Sequence, residues 1–313
     1  MINRFIRNFL NGQHIICKRP VLEQLHANVL NLVTDQYGSF VIEHVIEHGL
    51  PEDWERIVRC LHENVPTLVT DQYGSYVIEH VIEHGRLEDR ERIVRCLHEN
   101  VTSLSVHKYG SRVIRSVLEH CTEQQKRSVL EQLRDIVPTL VTDKYGNYVI
   151  QHVIVHGLPE DWERIVRCLH ENVPTLVTDQ YGSYVIEHVI EHGRLEDRER
   201  IVRTLQGDIL KTHYKSICSI IEKCLTFGTT EQKNALIDQL CADDGTGKTP
   251  LLQMMKQQFA NDVVVRMVDG ADSAHRDKMM FAIEEHIPAL LKRQQSLKEK
   301  DGRRSRRQKE EAE

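Results

Sequence analysis

His44-Val-Ile-Glu47-His48 has the form H-x-x-E-H, a zinc-peptidase signature, and the form recurs from His80 to His84 and from His188 to His192. Two histidines four residues apart on one helix could share a zinc ion. The fourth copy carries Val155 in place of the glutamate, Gly49 ends the first helix at once, and no distal third ligand is identifiable. The histidines therefore read as packing or repeat-face residues, since so short a motif matches by chance easily. Gly245-Thr-Gly247-Lys248-Thr249 imitates the end of a phosphate-binding loop. Ala242 stands where the loop needs its first glycine, Pro250 follows where a helix should begin, and Asp243 and Asp244 repel phosphate, so this segment reads as a surface insertion. Eight cysteines occur with no Cys-x-x-Cys pair. Cys60, Cys96 and Cys168 fall within helical apolar patterns and read as reduced core thiols of a cytosolic protein. The sequence thus predicts no enzyme, no metal and no cofactor.

A different set of polar residues recurs with more order. Gly38-Ser39-Phe40-Val41-Ile42-Glu43 returns 36 residues later as Gly74-Ser75-Tyr76-Val77-Ile78-Glu79. The same frame carries Ser111, Arg112 and Arg115, then Asn147, Tyr148 and Gln151, then Ser183, Tyr184 and Glu187. The apolar pair hardly changes, while three flanking positions vary. A constant frame with a variable polar triplet looks like a reader of something linear. A fixed period in this range means a solenoid of stacked units. Residues 50–95 are identical to residues 158–203, an offset of 108 or three periods, which means recent duplication or deliberate construction.

Elements that could position the triplet follow from one unit. Pro51-Glu52-Asp53-Trp54 opens a helix with acids in its first turn. Ile57, Val58 and Leu61 give its buried stripe, and Asn64-Val65-Pro66 is predicted to break it. Thr67 to Thr70 form a short helix or turn. Asp71 caps a second helix over 72–84, which stops at Gly85 in the C′ position. At 100° per residue, Val77, Ile78, Val81 and Ile82 share one side of that helix. Ser75, Tyr76, Glu79, His80 and Glu83 fall on the opposite, outward side. The Tyr/Phe positions could be core aromatics, but Arg112 replaces them easily only at a stacking surface.

The formal charge of −6 does not suggest a nucleic-acid partner, which usually leaves a basic footprint. No apolar run is long enough to span a membrane, and Met1 to Arg7 does not read as a secretory signal. The edges of the array are irregular. Asn3-Arg4…Arg7 aligns with a repeat whose first helix is missing. Cys218-Ser219…Glu222 comes one residue short of the period. The last unit, Asn261-Asp262…Val265, comes late, 261 − 218 = 43 residues after Cys218. We expect a repeat domain over 1–291, fraying or association at its unsealed N-terminus, and a charged, disordered tail over 292–313 whose arginine pairs could add nonspecific affinity for a nucleic acid.

At these residues the chain resembles the PUF (Pumilio-homology) family. The resemblance rests on Asp143-Lys-Tyr-Gly-Asn-Tyr-Val-Ile-Gln-His-Val-Ile, on Glu222-Lys223-Cys224 with Leu236-Ile237-Asp238, and on Met254-Met255-Lys256 before Asn261. It implies an all-α, right-handed superhelical crescent of eight three-helix repeats, the first truncated. It also implies single-stranded RNA on the inner face, one base per repeat, antiparallel to the protein. By that resemblance two residues four apart grip a base edge, and the residue after the first of them stacks. Ser39/Glu43 with Phe40, Ser75/Glu79 with Tyr76, and Ser183/Glu187 with Tyr184 would read guanine. Asn147/Gln151 with Tyr148 would read uracil. Ser111/Arg115 with Arg112 leans to cytosine over adenine, because arginine only donates. Cys218/Glu222 lacks a useful stacker, and Asn261 with Val265 lacks both a stacker and a pair. The implied RNA is 5′-NGGU(C/A)GGN-3′.

The resemblance further implies a cytoplasmic, monomeric regulator of messenger RNA untranslated regions that recruits repression or deadenylation proteins through its outer face. Two readings stay open beside it. One is an armadillo- or HEAT-like scaffold for proteins, favoured by the negative charge and by Glu47, Glu83 and Glu191 on the presented face. The other is a duplicated or engineered chain that folds but has lost useful affinity.

Overall fold

A computed structural model of the chain describes residues 15–205, 214–242, 249–255, 261–284 and 287. The expected first triplet (Asn3 to Arg7), the insertion over 243–248 and the tail over 292–313 lie outside the described residues, as does the side chain of Asn261. The described residues contain helices and no strand. None of those helices is long and apolar enough to cross a membrane.

The chain forms two compact units, one up to Glu171 and one from Asn172. In the first, α1 (Ile15–Ala27) and the short α2 (Val29–Val33) precede α3 (Gly38–His48), α4 (Pro51–Leu68) and α5 (Gly74–His84). The next repeat supplies α6 (Leu87–Leu97), α7 (Val101–Ser105) and α8 (Gly110–His120). Then come α9 (Glu123–Asp135), α10 (Val137–Val141) and α11 (Gly146–His156), with α12 (Pro159–Leu176) crossing the boundary. Helices α3, α5, α8 and α11 pack side by side in one row, and α1, α4, α6 and α9 in another. The second unit repeats the plan. There α13 (Gly182–His192), α15 (Tyr214–Phe227) and α18 (Asn261–Gly270) make one row, and α14 (Leu195–Leu205) packs on α16 (Thr230–Leu240), with α17 (Pro250–Met255) beside α18.

The apolar pair of each repeat explains the first row. Val41 and Ile42, Val77 and Ile78, Val113 and Ile114, Val149 and Ile150, and Val185 and Ile186 are all buried, and so is the pair one turn later in each helix. No single repeat could cover both sides of such a helix, so each unit's core is continuous from repeat to repeat. Ile57, Val58 and Leu61 are buried as their spacing requires. Cys60, Cys96 and Cys168 are half-buried rather than core.

The glycine before each triplet answers a close approach. A Cβ on Gly146 would stand 2.9 Å from the Leu140 backbone, and one on Gly38 would stand 2.4 Å from the Leu32 carbonyl oxygen. The helix therefore presses its first turn onto the short helix that precedes it.

Three local expectations are corrected. Helix α4 does not break at Asn64-Val65-Pro66 but runs on to Leu68. Pro66 has no N–H for the His62 carbonyl, yet the Asn64 amide donates to the Cys60 carbonyl at 2.8 Å and the Val69 N–H to the Val65 carbonyl at 3.0 Å, so the turn stays closed. Proline does not decide the matter: the helix is interrupted at Ile136 in the repeat that carries Pro138, and through a 3₁₀ turn over His98–Asn100 in a repeat that lacks it. Asp71 does not cap a helix at residue 72. Its Oδ1 accepts from the N–H groups of Tyr73 and Gly74, at 2.9 and 2.7 Å, and holds a turn ahead of α5. In the Arg112 repeat His107 takes this place, its Nδ1 accepting from Tyr109 and Gly110. Gly85 is not a left-handed cap. Its φ is −73°, and its N–H donates to the Val81 carbonyl at 2.8 Å.

The joints between repeats carry a device that the sequence reading missed. Arg90, on α6, donates from Nη1 to the His120 carbonyl and from Nη2 to the Glu83 carbonyl, both at 2.8 Å. It thus ties the C-terminal ends of α5 and α8, where carbonyls lack helical partners. In the second unit Arg198 does the same for Glu191 and Phe227, at 3.1 and 2.9 Å. The period-36 column through Arg90 reads Trp54, Arg90, Lys126, Trp162 and Arg198, so it mixes cations with indoles. Arg90→Ala leaves two carbonyls without their donors and is expected to cost about 1–3 kcal/mol. Urea denaturation checks it, and an unchanged midpoint would remove the clamp from the account.

Candidate nucleic-acid interface

In α3, α5, α8, α11 and α13 the triplet lies within the first six residues of the helix, and the structure sorts its three positions by depth. The middle position is the most open. Phe40, Tyr76, Tyr148 and Tyr184 are 43–48% exposed, large for aromatic side chains next to a well-packed core. Arg112 is half-buried at the same place. An exposed aromatic in register on successive helices offers flat faces rather than a packed interior.

The first position departs from expectation. Ser39, Ser75, Ser111, Asn147 and Ser183 are buried, not presented outward. They follow the glycine whose missing Cβ draws the helix start against its neighbour. The Ser75 hydroxyl donates to the Gln72 carbonyl at 3.4 Å, and that of Ser183 to the Gln180 carbonyl at 3.3 Å. The Asn147 amide donates to the carbonyls of Asp143 and Lys144, both at 2.9 Å. Its Oδ1 accepts from Gln151 Nε2 at 3.0 Å. Position one therefore supports, and position five meets what comes from outside. Glu43, Glu79, Arg115, Gln151 and Glu187 are all half-buried.

Partial burial makes these groups reactive to charge. It pushes the carboxyl of Glu79 above its ordinary range, with Arg112 and Arg115 opposing, and that of Glu187 likewise, with Ser219 and Lys223 opposing. It draws the Arg115 guanidinium below its usual range, and Arg115 lies 5.5 Å from the Tyr148 ring centroid. Arg112 lies 3.9 Å from the Tyr76 centroid and donates from Nη2 to Glu79 Oε2 at 3.2 Å.

The late repeats are weaker, as their residues suggest. Cys218 is buried, its thiol pushed up to about 11 by desolvation, so it presents no edge. Ser219 is engaged with Glu187. Glu222 is half-buried and paired with Arg266 at 2.5 Å. Val265 and Asp262 are exposed; the valine has no polar atom to grip a base edge, and the aspartate has no flat face on which a base could stack.

A ladder beside the triplets was not foreseen. Glu119 pairs with His152 of the next repeat at 3.8 Å, and Glu191 with Lys223 of the next. The carboxylate is four residues after the edge position and the base one residue after it, so the signal lay across neighbouring repeats rather than along one helix. The histidine pairs of the H-x-x-E-H motif meet edge-on or tilted, His80 and His84 with ring centroids 4.6 Å apart and planes 53° apart. Among the described residues no three His, Cys, Asp or Glu side chains converge as metal ligands would.

These features define a class: a helical repeat array that offers one flat side chain and one polar edge per repeat. The sequence signature of the Pumilio-family RNA binding repeat matches residues 28–62, 64–98, 100–134, 137–170, 172–205 and 218–241. The chain belongs to the Pumilio (PUF) family, an RNA-binding and non-enzymatic family whose fold is an all-helical repeat solenoid. Six repeats are matched, against the eight that the resemblance implies. Pumilio homologs 2 and 1 of Xenopus laevis are each 42% identical over 57 residues, which is 18% of this chain and about 5% of their own length. Among solved structures, PUF-8 in complex with PBE-RNA is 27% identical with a TM-score of 0.83, over 92% of this chain and 85% of that one. The Puf3 RNA binding domain bound to the Cox17 RNA 3′ UTR recognition sequence site B is 25% identical with a TM-score of 0.83, over 93% and 86%.

The charge pattern sets a titration order. Lys223 holds the Glu191 carboxyl below its usual range, whereas burial raises Glu79 and Glu187. The Lys223–Glu191 pair thus adds stability that is full above the unfolded carboxylate pKa and is lost as pH falls through the lowered one. Side-chain carboxyl NMR should show Glu191 titrating lowest of the three, and Lys223→Met should return it to the ordinary range. An unmoved Glu191 in that variant would contradict the pairing.

Proposed function

We propose that this protein reads single-stranded RNA one base per repeat, with the preference 5′-NGGU(C/A)GGN-3′. The observation that supports it best is the alternation, on successive first-row helices, of an exposed flat side chain with a half-buried polar edge three residues on. Stacking between flat side chains is worth about 1–3 kcal/mol per base whatever the base. The edge then selects. Glu43, Glu79 and Glu187 offer carboxylates to N1–H and the exocyclic amine of guanine. Gln151, held by Asn147, offers an amide to uracil. Arg115 suits the acceptors N3 and O2 of cytosine better than the mixed edge of adenine. The buried first-position serines limit how far they can share in the grip, so the glutamate carries most of the guanine selectivity.

The acidic net charge is compatible with this reading because selectivity here rests on stacking and edge contacts more than on phosphate attraction. By resemblance to the family, the RNA is a messenger 3′ untranslated region, the compartment is the cytoplasm, and the role is translational repression. The second row of helices would be free to recruit repression or deadenylation proteins.

A fluorescent RNA carrying G-G-U-C-G-G should bind more tightly than its scrambled control, and affinity should fall as salt rises, with a slope of about −0.7 per phosphate neutralised. Glu187→Gln should cut the preference for guanine at the third nucleotide by about 1–3 kcal/mol. Equal binding of matched and scrambled RNA, at any salt, would refute sequence reading and return the chain to a protein scaffold.

A further inference from the structure

Residues 50–95 and 158–203 are the same sequence twice, so the third and sixth repeats carry the same guanine-reading triplet in two different surroundings. Beside Glu187 the next repeat places Ser219, whose hydroxyl donates to the carboxylate. Beside Glu79 it places Arg112. The Arg112 guanidinium lies 3.9 Å over the Tyr76 ring and binds Glu79 Oε2 at 3.2 Å. The other carboxylate oxygen, Oε1, is buried with no hydrogen-bond partner.

We propose that Arg112 is a latch that fills the base slot of the third repeat and weakens its reading of guanine. The proposal rests on the base-reading function above. A base stacked between Tyr76 and the next flat side chain needs two van der Waals contacts, a gap of about 7–8 Å. Arg112 leaves half of that. A guanine must also take both carboxylate oxygens, of which one is held by Arg112 and the other is covered. Entry of a base therefore requires that the guanidinium leave Glu79 and slide off Tyr76. The released arginine can then stack on the incoming base, so overall affinity suffers less than discrimination. The displaced ion pair is partly exposed, with side-chain exposures of 28% and 22%. The expected loss is then the small factor that such pairs are worth, roughly two- to fivefold.

The duplicated repeat is its own control. The whole chain would be titrated with 5′-AGGUCGGA-3′ and with versions carrying adenine for guanine at the third nucleotide (opposite Glu187) or the sixth (opposite Glu79). The latch predicts an adenine penalty about two- to fivefold smaller at the sixth nucleotide than at the third. Arg112→Ser, which reproduces the surroundings of the sixth repeat, should bring the two penalties together. Arg112→Tyr, which keeps a stacking face, should also raise the penalty at the sixth. Equal penalties in the unmodified chain, or a penalty at the sixth nucleotide that stays or falls in both variants, would overturn the latch; a fall would mean that Arg112 prepares Glu79 for guanine instead. Absence of any penalty at the third nucleotide would overturn the base-reading function itself, and the latch with it.

Discussion

The burial of one valine–isoleucine pair per repeat is the constraint on which the other features depend. With Val77 and Ile78 closed between the neighbouring helices, α5 has a single permitted rotation about its axis. That rotation puts Tyr76 at the surface and Glu79 half inside, and the same holds for every helix with the same pair. Packing at interior density allows little freedom to turn, since a shift by one residue would bring the isoleucine into water. The exposed and half-buried positions of each triplet are thus fixed by residues in the core.

Polar contacts then divide between holding and reading. Arg90 and Arg198 tie helix ends across repeats, and Asp71 and its counterparts fix the turn that leads into each reading helix. The Glu119–His152 and Glu191–Lys223 pairs lie one turn from the edge positions. Because stitches and readers share the same short helices, a change of stacker in one repeat alters the electrostatics of the edge before it. Glu79 and Glu187, identical in local sequence, differ for this reason: one meets a guanidinium and the other a hydroxyl. The triplets are therefore not electrostatically independent of one another in this chain.

Much of this was legible in the sequence, and the misses have physical causes. Periodicity gave the helical array and the buried pair, because burial on one face leaves a 3.6-residue imprint. The exposure of Tyr76 followed from Arg112 at the equivalent position. The depth of Ser75 did not, because a helical wheel assigns a face but not the distance to the next helix, and that distance is set by Gly74 against Leu68. The continuity of α4 through Pro66 depends on a side-chain amide closing the turn. The Arg90 clamp was hidden because Trp54 and Trp162 stand in the same column as Arg90, Lys126 and Arg198, so composition blurred a shared position.

On the function proposed above, RNA meets the first-row helices through their exposed flat side chains. Photo-crosslinking of a G-G-U-C-G-G RNA to the whole chain, with the adducts mapped by mass spectrometry, addresses it directly. Adducts are expected at Phe40, Tyr76, Tyr148 and Tyr184. Adducts confined to the second-row helices, such as Pro51–Leu68 and Leu87–Leu97, would contradict it.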